Sequence, residues 1–164
     1  LAGLMIPFAV LIIQLYLELT PLGLANTLIA VILPRLAMPI GVFILTQFFK
    51  SIPLVLEEAA FIDGASRWTV FRTIILPLSK SALFAVAIIS FINAWNDFLW
   101  PLVAISSSEK YTITVGIANF QGTHGTEYSL IMAGAVLASI PQIIMYILFK
   151  KNIVKSIAMT GIKG

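Results

Sequence analysis

Of 164 residues, 60% are hydrophobic and only 10% are charged, and the mean hydropathy is +1.04. Soluble domains are about a quarter charged, so this chain lacks the polar surface to cover itself in water, and lipid must be part of its solvent. The formal charge of +3 is too small and too dispersed for a nucleic-acid partner, the absence of cysteine removes thiol chemistry, and the single histidine, His124, makes neither a zinc site nor a catalytic dyad.

The chain opens at Leu1 inside an apolar run, with no basic stretch ahead of it and no small-residue cleavage site. That start reads as a piece of a longer protein rather than as a signal peptide. Four apolar stretches follow, against a bilayer that needs about 20 helical residues. They run from Leu1 to about Leu17, from about Asn26 to Phe49, from about Ser81 to Val103, and from about Tyr128 to Phe149. Backbone in lipid must bond to itself, which long apolar runs do as helices. Pro34, Pro39 and Pro141 should kink their helices rather than end them. The expected fold is all-α, a polytopic membrane bundle with four spans in this piece. A loop from 50 to 80, an outer loop from 104 to 127 and a tail from 150 to 164 connect and follow them.

Basic residues near span ends stay on the cytoplasmic side. Lys50, Arg67, Arg72 and Lys80 flank the middle loop, and Lys150, Lys151, Lys155 and Lys163 lie in the tail. Only Lys110 lies on the opposite side, and Arg35 falls within a span. The middle loop and C-terminus are therefore expected in the cytoplasm. Trp95 and Trp100, near the outer end of the third stretch, fit an interfacial aromatic belt.

The middle loop is too structured for a linker. Pro53 suits a first helical turn, and the run Leu54 to Ala60 favours helix. Gly64 can take the left-handed conformation that ends a helix. Ser66 can cap a second piece, Arg67 to Leu76, before Pro77 breaks it. The product is helix, sharp turn, helix, lying under the membrane. Ala59, Ala60, Gly64 and Ala65 leave room for another surface, while Glu57, Glu58 and Asp63 supply charge to pair with it. An amphipathic connector lying in the interface has the same pattern.

The string Glu58-Ala59-Ala60-Phe61-Ile62-Asp63-Gly64-Ala65, followed by Ile75-Leu76-Pro77, resembles the EAA motif of permeases in importers of the ATP-binding-cassette class. Asn93-Ala94-Trp95-Asn96-Asp97-Phe98 resembles the tryptophan–asparagine cluster of sugar-importing members. Tyr111 to Gly116 looks like the family's outer loop, and Gly161-Ile162-Lys163-Gly164 is similar to the tail of the maltose-permease-like half. Ser156-Ile157-Ala158-Met159 stands where the family usually has a glycine–leucine pair.

The resemblance implies an inner-membrane transport subunit with ATPase-docking residues Glu57, Glu58, Ala59, Ala60, Asp63, Gly64 and Ala65, and tail contacts at Gly161 and Lys163. It also implies a homologous second permease subunit, a cytoplasmic ATPase dimer, an extracellular solute-binding protein and a sugar cargo.

Polar residues inside a membrane are functional suspects. Arg35 and Asp97 fall at similar depth, about 22 and 24 Å from their cytoplasmic span ends at helical rise. They could pair, line the pathway, or snorkel to the outer interface. Asn93, Trp95 and Asn96 have amide and aromatic chemistry suited to a hydroxylated ring, although for Trp95 the belt is the favoured reading. Gly134 with Ala138, and Ala135 with Ser139, have the small-residue spacing of helix contacts.

An enzyme fits poorly. Glu57 and Glu58 diverge by about 100 degrees on a helix, and no phosphate loop, nucleophile–base pair or metal cluster accompanies them. No cofactor or metal is expected, and ATP hydrolysis falls to a partner. A self-contained ion-coupled carrier or channel would explain the spans but leaves the docking element without a role.

Overall fold

A computed structural model describes residues 2–122 and 125–160. His124, Gly161 and Lys163 lie outside the described residues. The chain forms two units: Leu1–Met38 with Phe91–Leu148, and Pro39–Ser90 with Phe149–Gly164.

In the first unit, Pro7 precedes a 12-residue apolar helix, Phe8–Leu19. Thr27 caps Leu28–Ile32 by accepting from the Ala30 amide, and a 3₁₀ turn, Leu33–Arg35, follows. Leu36–Met38 leave the helical path just before Pro39, as expected where a proline ring crowds the α conformation of the residue before it. Leu99–Ala104 packs against this part of the chain. Ile12, Leu19, Ala30, Trp100, Ala104 and Ile105 form its buried core.

The expected third span is not continuous. Lys80–Trp95 stops, and Leu99–Ala104 begins after Asn96–Phe98. Pro101 marks the break, since it has no N–H to offer the Asp97 carbonyl four residues earlier. Asn96 Nδ2 donates to the Ile92 carbonyl, and the Asp97 carbonyl accepts from Thr114 Oγ1 at 2.7 Å, so it faces a side chain rather than the next helical turn.

The belt reading of Trp100 is also corrected. Trp100 is fully buried, with Nε1 donating to the Ala30 carbonyl at 3.0 Å and Phe8 edge-on against its ring. In a regular helix, the Ala30 carbonyl would accept from residue 34. That residue is Pro34, which has no N–H, so the indole supplies the missing donor. Trp95 is half-buried, stacked on Phe91, and donates to the Ala138 carbonyl at 2.9 Å.

Asn26, at φ 59°, clips distant backbone together. Its Oδ1 accepts from the Ser106 and Ser107 amides, Nδ2 donates to Ser107 Oγ, and its own amide donates to the Ala104 carbonyl. Lys110 Nζ donates to the Asn26 carbonyl. Asparagine is among the few residues that tolerate the left-handed region.

In the outer loop, Ile113–Ala118 is helical. A ladder pairing Gln121–Gly122 with Gly125–Thr126 qualifies the all-α expectation. A single helix runs from Tyr128 to Thr160 through Pro141, and an ideal Cβ on Gly134 would lie 2.8 Å from Ile117 Cγ1. Small size at Gly134 is therefore what lets the Ile113–Ala118 helix approach.

Among the described residues, Leu28–Ser51 and Tyr128–Lys150 are each long and apolar enough to cross a membrane, with 11% and none of their apolar windows buried. Such bare apolar surface calls for lipid or another apolar subunit around it. Arg67–Leu78 and Lys80–Trp95 reach that length only as a pair, across a 71° bend. The four expected spans thus reduce to two by length, plus this bent pair and the shorter Phe8–Leu19.

Candidate functional site: the helical hairpin from Leu54 to Leu78

The hairpin follows from local rules. Leu54–Ile62 starts one residue after Pro53, which sits outside the helix with extended ψ. At the other end, the Gly64 amide donates to the Phe61 carbonyl and the Ala65 amide to the Ala60 carbonyl, both near 3.0 Å. These are the paired bonds of a Schellman cap, and Gly64 at φ 79° supplies its left-handed residue. Ser66 Oγ then accepts from the Thr69 amide to start the next helix.

That helix does not break at Pro77. It runs from Arg67 to Leu78, widening into a π segment at Phe71–Ile75. The wider turn makes room for the proline ring and absorbs its missing donor. Ser79, buried, closes the helix by returning Oγ and its amide to the Ile75 carbonyl.

The Leu54–Ile62 helix has two distinct faces. Ala60 and Ala65 pack on the buried cluster of Ile52, Val70 and Ile75. Glu57 and Phe61 line a groove of about 410 Å³ with Phe49, Arg67, Val70, Phe71 and Ile75. Val55, Glu58, Ala59, Ile62 and Asp63 are all exposed, Ile62 at 85%. Their spacing of i, i+3, i+4, i+7 and i+8 makes one helical stripe. Gly64 is open too, since a Cβ there would meet nothing within 4 Å. Of the seven docking residues expected from sequence, Ala60 and Ala65 face inward and Glu57 faces the groove, leaving Glu58, Ala59, Asp63 and Gly64 outward. Val55 and Ile62 share this outward face and were not among the residues expected from sequence. Their signal was available, because apolar residues seven apart flank the Glu58–Ala59 pair on one face.

A second cluster lies in the first unit. Arg35 Nε and Nη2 converge on Asp97 Oδ2 at 3.0 and 2.5 Å, and the guanidinium lies 3.7 Å from the centre of the Phe8 ring. Of the three options open from sequence, the pairing is present. Arg35 is 37% exposed and Asp97 only 9%. Beside them, Gln142 Nε2 donates to Asn96 Oδ1 at 3.1 Å, and Asn93 is exposed. Gln142 was not anticipated, although it adjoins Pro141, where the helix ladder is already interrupted.

The unequal exposure predicts an unequal mutant series. Arg35→Leu leaves a nearly buried carboxylate without its partner, whereas Asp97→Leu leaves a cation that still rests on Phe8 and reaches solvent. Breaking a fully buried pair costs about 3–5 kcal/mol. With one partner this exposed, Arg35→Leu is expected to cost about 1–3 kcal/mol, and Asp97→Leu less. The double variant should recover part of the loss in thermal unfolding of purified protein. Strict additivity would show that the two groups act independently.

Residues 1–159 match the family model for the binding-protein-dependent transport system inner membrane component. The chain is 38% identical over 161 residues to an arabinooligosaccharide transport system permease protein of Halalkalibacterium halodurans, covering 98% of this chain and 58% of that protein. It is 41% identical over 163 residues to a trehalose/maltose transport system permease protein of Thermococcus litoralis, covering 98% and 59%. The chain thus spans less than two thirds of these relatives. A solved bacterial ABC transporter that imports the acidic polysaccharide alginate aligns at TM-score 0.72 and 25% identity, over 85% of this chain and 55% of that one.

Proposed function

The chain belongs to the family of binding-protein-dependent transport system inner membrane components, and from that premise we propose that it forms part of a membrane pathway for a sugar or oligosaccharide, driven by a separate ATPase. The Val55–Asp63 stripe carries the coupling part of this reading. The stripe sets two apolar side chains, Val55 and Ile62, beside two carboxylates, Glu58 and Asp63, on one exposed face next to the Gly64 cap, where a partner can meet it by apolar contact and by charge. In the assembled importer, the hairpin and the C-terminal tail face the cytoplasm and the ATPase dimer. A homologous permease subunit completes the pathway, and an extracellular solute-binding protein delivers cargo. Closure of the ATPase dimer favours one arrangement of the spans and reopening favours the other, which is the differential contact that coupling requires.

The amides of Asn93, Asn96 and Gln142 are the candidate cargo contacts in this chain, with Arg35 and Asp97 fixing the backbone beside them. Trp95 serves there as a helix-to-helix tie. Gly161 and Lys163 remain candidate tail contacts to the ATPase.

The test uses the absence of cysteine from this chain. A cysteine at Ile62, paired with cysteines across the ATPase surface, should cross-link and stop ATP hydrolysis, and reductant should restore it. A cysteine at Ala60, which faces the hairpin's own core, should cross-link far less. A complex that transports while Ile62 cross-links to no ATPase position would remove the docking assignment.

A further inference from the structure

The second arm of the hairpin has chemistry that docking to an ATPase does not use. Trp68 is 68% exposed and stacks on Phe71 at 5.6 Å, and Phe71 is itself 38% exposed. From Gly64 to Lys80 the charges are Arg67, Arg72 and Lys80, with no acidic residue. Arg67 lines the groove together with Glu57. Trp68, Arg72 and Lys80 are exposed and lie outside that groove.

Orientation follows from the bend. Arg67–Leu78 meets the apolar helix Lys80–Trp95 at 71°. Helices that enter a bilayer tilt on average about 20° from its normal. An arm bent this far from one lies closer to the membrane plane than to the normal. A transverse helix at that depth, with an exposed indole and flanking cations, meets the headgroup layer, where tryptophan is favoured and basic side chains are drawn to anionic lipid.

We propose that Arg67–Leu78 is a lipid-bound arm. In it, Trp68, stacked on Phe71 of the groove wall, seats in the interface while Arg72 and Lys80 hold the phosphates of anionic phospholipids. The assignment rests on the membrane-transport reading above but not on the docking stripe. Its consequence is that the lipid fixes one arm of the hairpin while the ATPase engages the other, so headgroup charge tunes coupling.

A photoreactive phenylalanine analogue at position 68 tests the contact in the full-length chain, assembled with its second permease subunit and ATPase in native membranes. Phospholipid adducts are expected to dominate after illumination. Adducts to the ATPase or the second permease subunit in their place overturn the proposal. Should the analogue hinder assembly, nanodiscs decide independently. ATPase activity is expected to be roughly fivefold higher with phosphatidylglycerol than with phosphatidylcholine alone, about the effect of one basic contact. The double variant Arg72→Gln, Lys80→Gln should bring that ratio close to one. An unchanged ratio in the double variant, or no lipid dependence in the parent, overturns it. The Ile62 cross-link, read on the same preparations, separates the outcomes: it persists when only the lipid contact is wrong and vanishes when the docking reading is wrong.

Discussion

Trp100→Ala is expected to cost about 3–5 kcal/mol, the range for emptying a large aromatic site from a core. Two losses combine. The ring is fully buried against Phe8 and the Leu28–Ile32 helix, so its removal leaves a cavity, and its Nε1 is the donor for the Ala30 carbonyl that Pro34 leaves without a helical partner. Trp100→Phe separates them. It retains most of the ring but strands the carbonyl, a loss of about 1–3 kcal/mol. Pro34→Ala, added to Trp100→Phe, restores a backbone N–H four residues after Ala30 and should recover part of that loss. On the wild-type background, the same Pro34→Ala change should gain little, because the carbonyl is already satisfied. Thermal unfolding midpoints of the four proteins in detergent decide the matter. If Pro34→Ala gives the same shift in both backgrounds, the indole is not replacing the proline's missing donor.

Gly64→Val should abolish transport while the protein still inserts in the membrane. A Cβ at this position meets nothing within 4 Å, so the obstacle is backbone conformation and not space. At φ 79°, an ordinary residue pays about 1–2 kcal/mol, and a β-branched one more. The strain is relieved by opening the Schellman cap, which swings the Leu54–Ile62 helix away from Arg67–Leu78 and disorders the outward stripe. Gly64→Ala, with the smaller penalty, should retain part of the activity. Uptake assays on cells, with membrane levels matched by immunoblot, rank the three proteins. Uptake by Gly64→Val at the wild-type level would mean that this turn does not position the coupling surface. Equal loss in both variants would instead point to a surface that presses on Gly64 itself.

What sequence could supply depended on the range over which each rule acts. The hairpin was legible almost residue by residue, because the left-handed glycine, the Ser66 cap and the helix-forming run Leu54 to Ala60 are settled by neighbours a few positions away. Pro77 misled, since a proline predicts a lost donor but not whether a π turn will absorb it. The contacts of Trp95 and Trp100 were out of reach for the opposite reason. Their partners, Ala138 and Ala30, lie 43 and 70 residues away, and a bare apolar pattern places such rings at the interface by default. One signal was overlooked: Pro34 names the Ala30 carbonyl as a group needing a donor, and few side chains in so apolar a chain could provide one. Equal estimated depth made Arg35 and Asp97 a possible pair, and only their partner distances distinguished pairing from snorkelling. The proposed docking face overlaps the motif only in part, because motif residues build the turn as well as offering surface. Ala60 and Ala65 serve the former, and the stripe from Val55 to Asp63 is the surface available for the latter.

The Asn26 clip imposes a timetable on the chain's birth. Asn26 leaves the ribosome 80 residues ahead of Ser106, the first amide its side chain will hold. At about 5–20 residues per second, roughly 4–16 s pass before its partners are synthesised. Trp100 and Asp97 belong to the same late stretch. For 70 residues of synthesis the Ala30 carbonyl lacks its indole, and for 62 Arg35 lacks its carboxylate, both in an otherwise apolar segment. The nascent chain therefore waits with two polar groups unsatisfied, the condition that membrane chaperones shield and quality-control proteases detect. Arrival of residues 97–107 ends the wait at three points at once. Variants that weaken any one of them should be cleared as young chains, before they are lost as mature protein.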